Sequence, residues 1–377
     1  MRRDDASAFD PANREDDRPL RRGWSTGACA AAAARAATQA LLGGGFPESV
    51  EIELPRGLRP VFDLAETAMA GASARVAVRK DAGDDPDVTH GALIVAEVRR
   101  AAPGAGIIFR AGEGVGMVTR PGLPVPVGEP SITPAPRQYI SQAVSSVAEA
   151  AGVPGDFEIT VSVPGGKRLA EKTMNARLGI IGGLSILGTT GVVIPYSCGA
   201  WIASIHRGVD VARAAALPHI AATTGRTSEA GTRALYGLPD QALIEMGDFA
   251  GGLLKYVRHH PVPRLTIGGG FAKIAKLAAG HLDLHSRRSA LDINVLATQL
   301  GDLGADPETV AKAAAVESGG ALLDIARQAG LPIADRVAHD ACAVVRQTLG
   351  SAMLSSTSVV DVVVFDRAGR LIGHAGA

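Results

Sequence analysis

Apolar and polar positions change their period midway along the chain. An alanine-rich run over 27–42 predicts a helix, with Thr26 as its N-cap and Gly43-Gly44-Gly45 as its stop. Alternating runs follow at 50–54, 61–64, 74–79, 92–98 and 107–109, separated by Gly, Pro and Asp, and these predict strands. Thr133-Pro134 opens a helix that ends near Gly152, proline suiting its first turn. Over 158–163, Ile159, Val161 and Val163 alternate with polar neighbours, as in a half-buried strand. This half is expected to be an α+β domain with a mainly antiparallel sheet.

The second half repeats a different plan after a long helix over 197–217. Three apolar strands, 219–223, 242–245 and 264–267, each run into a glycine turn and then a helix: Thr224-Gly225-Arg226, Gly247-Asp248 and Gly268-Gly269-Gly270. That repetition predicts a Rossmann-like parallel α/β sheet. A helical section over 289–349 follows, with a helix start at Asp306-Pro307-Glu308. A hairpin, 359–365 and 370–373, closes the chain. The expected organisation is a disordered tail over 1–20, an α+β domain over 21–195 and an α/β domain over 196–377.

Composition narrows the function classes. Lys plus Arg and Asp plus Glu are both 38, so the formal charge is zero, and aromatics are 4%. Such a chain lacks the basic face or stacking platforms of a general nucleic-acid binder. Cys29, Cys198 and Cys342 are odd in number and far apart, which suits a reducing cytoplasm and argues against a disulfide scaffold or structural zinc. Residues 178–206 carry no charge, but six glycines and Pro195 interrupt them, so a buried glycine loop is expected there and not a membrane span. The 46 glycines mark many places where backbone turns sharply or approaches something closely.

Five places carry candidate chemistry. The three strand-end turns suit a nucleotide-like cofactor, with Glu245 and Asp248 on ribose hydroxyls; tight βα turns are the plainer alternative, and none spells G-x-G-x-x-G. From Gly183 to Thr190 the chain nearly spells a P-loop. Thr189 replaces its lysine, so NTP hydrolysis is not expected. The turn 80–91 crowds four Asp, and mutual repulsion would raise some of their pKa values. The start Arg22, Ser25, Thr26, Gly27 suits a carboxylate at a helix N-terminus, or is ordinary capping. His281 and His285, at i and i+4 of a helix, have no third ligand nearby, so no metal is expected and contact with a substrate fits better.

Several of these segments together resemble one family, CbiD, the cobalt-precorrin-5B C1-methyltransferases. They are RGWSTGACAAAAA from Arg22, KDAGDDPDVTHG from Lys80, the glycine-rich stretch 163–194, TGRTSE from Thr224, the stretch 268–286 and the hairpin 365–373. Trp24, Ser25 and Ala176 stand where Tyr, Thr and proline are commoner. The resemblance implies an S-adenosylmethionine-dependent enzyme of cobalamin biosynthesis that methylates C1 of cobalt-precorrin-5B to give cobalt-precorrin-6A. Its cobalt would arrive with the macrocycle. On that basis Thr224, Gly225, Glu245, Gly247, Asp248, Gly268 and Gly269 are expected to bind S-adenosylmethionine. Arg22, Ser25, Thr26, Gly27, Lys167, Arg177 and His285 are expected to meet the acid side chains of the tetrapyrrole, and Gly182, Gly183, Thr189 and Thr190 its flat face. Asp84, Asp85 and His90 are the catalytic candidates. A non-catalytic tetrapyrrole or cofactor carrier is the alternative, and an NAD-linked oxidoreductase is a third, weakened by the missing fingerprint. Homo-oligomers are common among enzymes of this size.

Overall fold

The computed structural model describes residues 19–350 and 359–376, so the expected tail lies, but for its last two residues, outside the described part. The chain is mixed α/β and divides after Cys198 into two compact units.

In the first unit, β1 (Gly23–Trp24) leads into α1 (Thr26–Gln39). Ser25, and not Thr26, is the N-cap: its Oγ accepts from Ala28 N at 3.2 Å, and Thr26 is the first helical residue. A π-helical turn, Ala40–Gly44, ends the helix. Its alanines are buried on all sides, as in a helix enclosed by protein. Small side chains let it lie close to the sheet and to α2 (Pro134–Ala150). The remaining strands are β2 (Ser49–Glu51), β3 (Val61–Asp63), β4 (Glu66–Ala70), β5 (Ser73–Arg79), β6 (Leu93–Arg100), β7 (Ile107–Ala111), β8 (Met117–Val118), β9 (Phe157–Ser162), β10 (Ile180–Ile181) and β11 (Val192–Val193), with a short α3 (Gly166–Ala170). The main sheet has the order β4-β5-β6-β9-β7, antiparallel except for β7 beside β9. Its edge strand β4 is wholly exposed, so apolar patterning gives no sign of it.

The second unit opens with α4 (Cys198–Ala214). It continues through β12 (Ile220–Thr223), α5 (Arg226–Tyr236), β13 (Leu243–Glu245), α6 (Ala250–His259), β14 (Arg264–Gly270), α7 (Phe271–Ala278), α8 (Ile293–Asp302), α9 (Pro307–Ala314), α10 (Gly319–Gln328), α11 (Ile333–Leu349), β15 (Val359–Phe365) and β16 (Leu371–Ala375). The sheet order is β13-β12-β14-β15-β16, parallel through β15, with the terminal hairpin adding β16 antiparallel. Buried along almost its whole length, β15 reads VVDVVVF, the near-continuous apolar run of a strand covered on both faces. One face packs on α4, α6, α7 and α11; Ala221 and Leu243 on the other meet Tyr236 and Leu238.

Two expectations need correction here. Gly268, Gly269 and Gly270 are not a turn but the last residues of β14. A Cβ on Gly268 would lie 2.5 Å from Thr232 Oγ1, and one on Gly269 2.7 Å from Ile274 Cδ1, so these glycines let α5 and α7 pack against the strand. His281 and His285 lie in an irregular segment after α7, so no helix aligns them.

Candidate active site

β5 runs into the acidic turn, whose polar groups hold several pieces of chain together. Lys80 is only 2% exposed, and its Nζ donates to Asp87 Oδ2 at 2.6 Å. Asp87 Oδ1 accepts from Thr89 N and Oγ1 at 2.7 and 2.6 Å. Burial opposes ionisation of Asp87, but Lys80 and Thr89 outweigh it and hold its pKa below the usual value. Asp81 forms a forked ion pair with Arg21, which holds its pKa at about 2. Asp84 Oδ2 accepts from Arg21 N at 2.7 Å, and Asp84 N donates to Arg21 O at 3.0 Å. This approach needs Gly23, where a Cβ would lie 2.0 Å from the Ala82 carbonyl carbon. The expected raising of carboxylate pKa values is therefore reversed at Asp81 and Asp87, because each faces a donor and not another acid.

The two other catalytic candidates differ in what they can do. His90 Nδ1 accepts from Ala82 N at 3.1 Å, so a neutral imidazole there carries its proton on Nε2 and is a donor. Asp85 Oδ1 accepts from Tyr196 N at 2.8 Å. Tyr196 holds a left-handed backbone, φ 55°, a conformation costing about 1–3 kcal/mol for such a residue. Asp85 fixes that strained turn through one oxygen. Among the described residues its second oxygen has no hydrogen-bond partner.

The start of α1 is closed by the chain itself. Gly27 N donates to Leu187 O at 3.2 Å, and Leu187 N to Thr26 Oγ1 at 3.0 Å. Ser25 N donates to Gly191 O at 2.8 Å, and Tyr139 Oη to Gly188 O at 2.8 Å. Ser25, Thr26 and Gly27 are buried, so the expected carboxylate seat is instead the anchor of the glycine segment. Within that segment Gly183 is buried against Gly114, where a Cβ would lie 2.1 Å from the carbonyl oxygen. Gly182 and Thr189 are exposed, and Thr190 Oγ1 bonds Val192 N at 3.3 Å. Ile181, Leu187 and Ile194 are exposed large apolar side chains on this same segment, which a sequence reading centred on glycine misses. Arg22 and Lys167 are exposed; Arg177 is half-buried.

In the second unit the strand ends separate into an acidic and a basic region. Thr223 and Glu245 face each other in register on β12 and β13, and Glu245 is half-buried with no partner among the described residues. Gly247 takes φ 57°, with the Trp201 indole Nε1 3.5 Å from where its Cβ would be. Asp248 is bound by Lys273 at 2.9 Å, and Lys273 Nζ also reaches Thr224 O at 3.3 Å. Lys273, sitting where the dinucleotide fingerprint would put a glycine, thus ties the β12 and β13 ends together. Trp201, 42% exposed, is a further residue the sequence did not single out, since its neighbour Gly247 lies far along the chain. Thr224 and Gly225 line a cavity beside β14. His285 accepts from Arg287 N and is held in a local turn apart from that cavity.

Among the described residues no three His, Cys, Asp or Glu are grouped to hold a metal ion, and no helix is long and apolar enough to cross a membrane. Cys29 and Cys342 are core residues, and burial pushes the Cys29 thiol up to about 12.

Comparison with known proteins gives sequence matches along most of the chain. Residues 13–195 match the family model CbiD and residues 283–376 the model of the CbiD C-terminal domain. The cobalt-precorrin-5B C(1)-methyltransferase of Paramagnetospirillum magneticum is 55% identical over 96% of this chain and 99% of that protein. Its namesake from Bradyrhizobium sp. is 56% identical over 97% and 95%. A crystal structure of the cobalamin biosynthesis protein CbiD from Archaeoglobus fulgidus is 31% identical, covers 71% of this chain and 83% of that one, and superposes with a TM-score of 0.39. Matched in sequence along nearly its whole length, the chain belongs to the CbiD family.

Proposed function

We propose that the chain is a cobalt-precorrin-5B C1-methyltransferase, transferring a methyl group from S-adenosylmethionine to a ring carbon of the macrocycle in cobalamin biosynthesis. The observation that carries this is identity above half, over nearly the whole length, to proteins of that name. S-adenosylmethionine supplies an activated methyl on a sulfonium, so the protein's task is chiefly alignment of the acceptor carbon.

The donor end is assigned to the tip of β13, in the α/β unit whose parallel strands are read as Rossmann-like. Glu245 offers an unpaired carboxylate for ribose hydroxyls, Gly247 brings backbone close, and the Trp201 indole supplies a face for the adenine. Asp248, neutralised by Lys273, positions this end without facing the ligand. Glu245→Gln is expected to weaken S-adenosylhomocysteine binding about tenfold through loss of charge-assisted acceptance. Calorimetry checks it; an unchanged Kd removes Glu245 from the donor site.

The first unit is read as a partner of the ring. The exposed stretch holding Gly182 and Thr189, with Ile181, Leu187 and Ile194, gives an apolar surface next to hydroxyl groups, and Arg22 and Lys167 are exposed cations for acid side chains. A sulfonium methyl leaves its sulfur neutral, so its positive charge stays on the product unless a proton departs. Asp85, with an open oxygen, is proposed to take that proton. Incubation with methyl-labelled S-adenosylmethionine and the ring-contracted cobalt precursor should place label at C1. Bound precursor with no label would favour the non-catalytic carrier.

A further inference from the structure

The carboxyl ends of β12, β14 and β15 enclose a cavity of about 710 Å³, inside the size range of small-molecule sites. β13 lies on one side of β12 and β14 on the other, so the cavity sits where the strand order turns back. Open α/β sheets bind ligands at that point. α5, α7 and α10 all begin there and aim their partial positive charge at it.

Charge decides the class of ligand. Arg226, Lys273, Arg327, Arg367 and Arg370 line the cavity against only Asp324 and Asp366. Asp366 is already engaged: it accepts from Arg370 Nε at 2.8 Å and stands 3.7 Å from Arg327. Its pKa lies below the usual value, burial being outweighed by bonds from the Arg370 and Ala368 backbone and the Arg370 side chain. Lys273 is bound to Asp248. Among the described residues, Arg226 and Arg367 have no ion-pair partner. Two uncompensated guanidinium forks, set among three helix N-termini, match carboxylates. S-adenosylmethionine, with a sulfonium and an ammonium against one carboxylate, is a net cation and is repelled here.

We infer that this cavity binds the carboxylate side chains of the tetrapyrrole acceptor and not the methyl donor. The inference rests on the methyltransferase reading for the identity of the acceptor. It gives chemistry to the hairpin turn at Arg367 and Arg370, which had none, and a role to Arg226 on the turn after β12. It also moves Thr224 and Gly225 from the donor set to the acceptor set, leaving Glu245 and Gly247 to the donor.

The test uses the full chain and the double variant Arg226→Gln/Arg367→Gln, whose melting temperature should not change because both side chains are exposed and unpaired. Fluorescence titration with the octacarboxylate uroporphyrin should show about tenfold weaker binding in the variant, with a shallower salt dependence. S-adenosylhomocysteine affinity should be the same in both proteins. The wild-type chain should also prefer uroporphyrin to the tetracarboxylate coproporphyrin. Failure of the wild type to bind uroporphyrin, equal binding by the variant, or loss of S-adenosylhomocysteine binding in the variant would each overturn the assignment. Stronger competition by inorganic pyrophosphate than by coproporphyrin would make the cavity a phosphate site and overturn it too. Methyl transfer by the wild type stands in all these cases. Conversely, uroporphyrin binding lost with the two arginines, in a chain that transfers no methyl group, keeps the cavity and removes the enzyme.

Discussion

Lys80→Met is expected to destabilise the first unit by about 2–3 kcal/mol, less than the cost of breaking a fully buried pair, because the stranded Asp87 carboxylate is 24% exposed and keeps both Thr89 bonds. The lysine side chain is 1% exposed and its ammonium meets Asp87 at 2.6 Å. Methionine fills the same volume, so the loss measures the orphaned carboxylate and not a cavity. Lys80→Met/Asp87→Asn should recover part of the loss, since Asn Oδ1 still accepts from Thr89, and the double-mutant cycle isolates the pair. The pH dependence has a definite sign. The folded pKa of Asp87 lies below its unfolded value of about 3.9. Its stabilisation is therefore complete above that value and lost as pH falls through the folded pKa. In Lys80→Met the carboxylate loses its cation while keeping most of its burial, which raises its folded pKa, so its deficit against wild type should begin to narrow above about pH 4 and narrow further below it, as wild type loses its own stabilisation. Urea unfolding at neutral and acid pH measures both effects. A loss below about 1 kcal/mol would mean that water reaches the pair as it does a surface ion pair.

This buried lysine also shows where the sequence stops being legible. Lys80 heads an acidic run, and composition alone reads such a run as a solvated, self-repelling turn. What spends its carboxylates is Arg21 and Tyr196, both distant in sequence, together with the burial of the lysine itself. Period-based reading does better where one face decides. The alternation over 158–163 marks β9, and Asp306-Pro307 marks the start of α9 because capping is local. β4 escapes it, since an edge strand with both faces in solvent carries no apolar period. The glycines divide in the same way. Gly247 occupies a left-handed turn visible from its neighbours. Gly268 and Gly269 look like a turn in one dimension, but they thin a strand so that two helices can press on it, and only the third dimension distinguishes the cases. Likewise Thr26 looks as able to cap as Ser25, until the fold sets Thr26 on Leu187.

Asp85→Asn is expected to lower kcat about a hundredfold, within the range by which a positioned general base contributes, while KM for both substrates and the melting temperature stay unchanged. The substitution is chosen for what it keeps. Asn Oδ1 can accept the Tyr196 N–H, so the left-handed backbone at Tyr196 remains fixed and the turn does not relax. What it removes is basicity at the Asp85 oxygen that has no hydrogen-bond partner among the described residues. His90→Asn is the control. His90 accepts the Ala82 N–H through Nδ1 and carries its proton on Nε2, so it cannot take a proton there without giving up that bond. An asparagine oxygen replaces the acceptor, and kcat should fall far less. Single-turnover methylation separates the outcomes, because it reports the chemical step apart from product release. A hundredfold loss in His90→Asn with full activity in Asp85→Asn would transfer the proton to the imidazole. Equal, small losses in both would mean that the departing proton goes to water or to the macrocycle's own acid groups. The turn would then be the brace that its hydrogen bonds already make it.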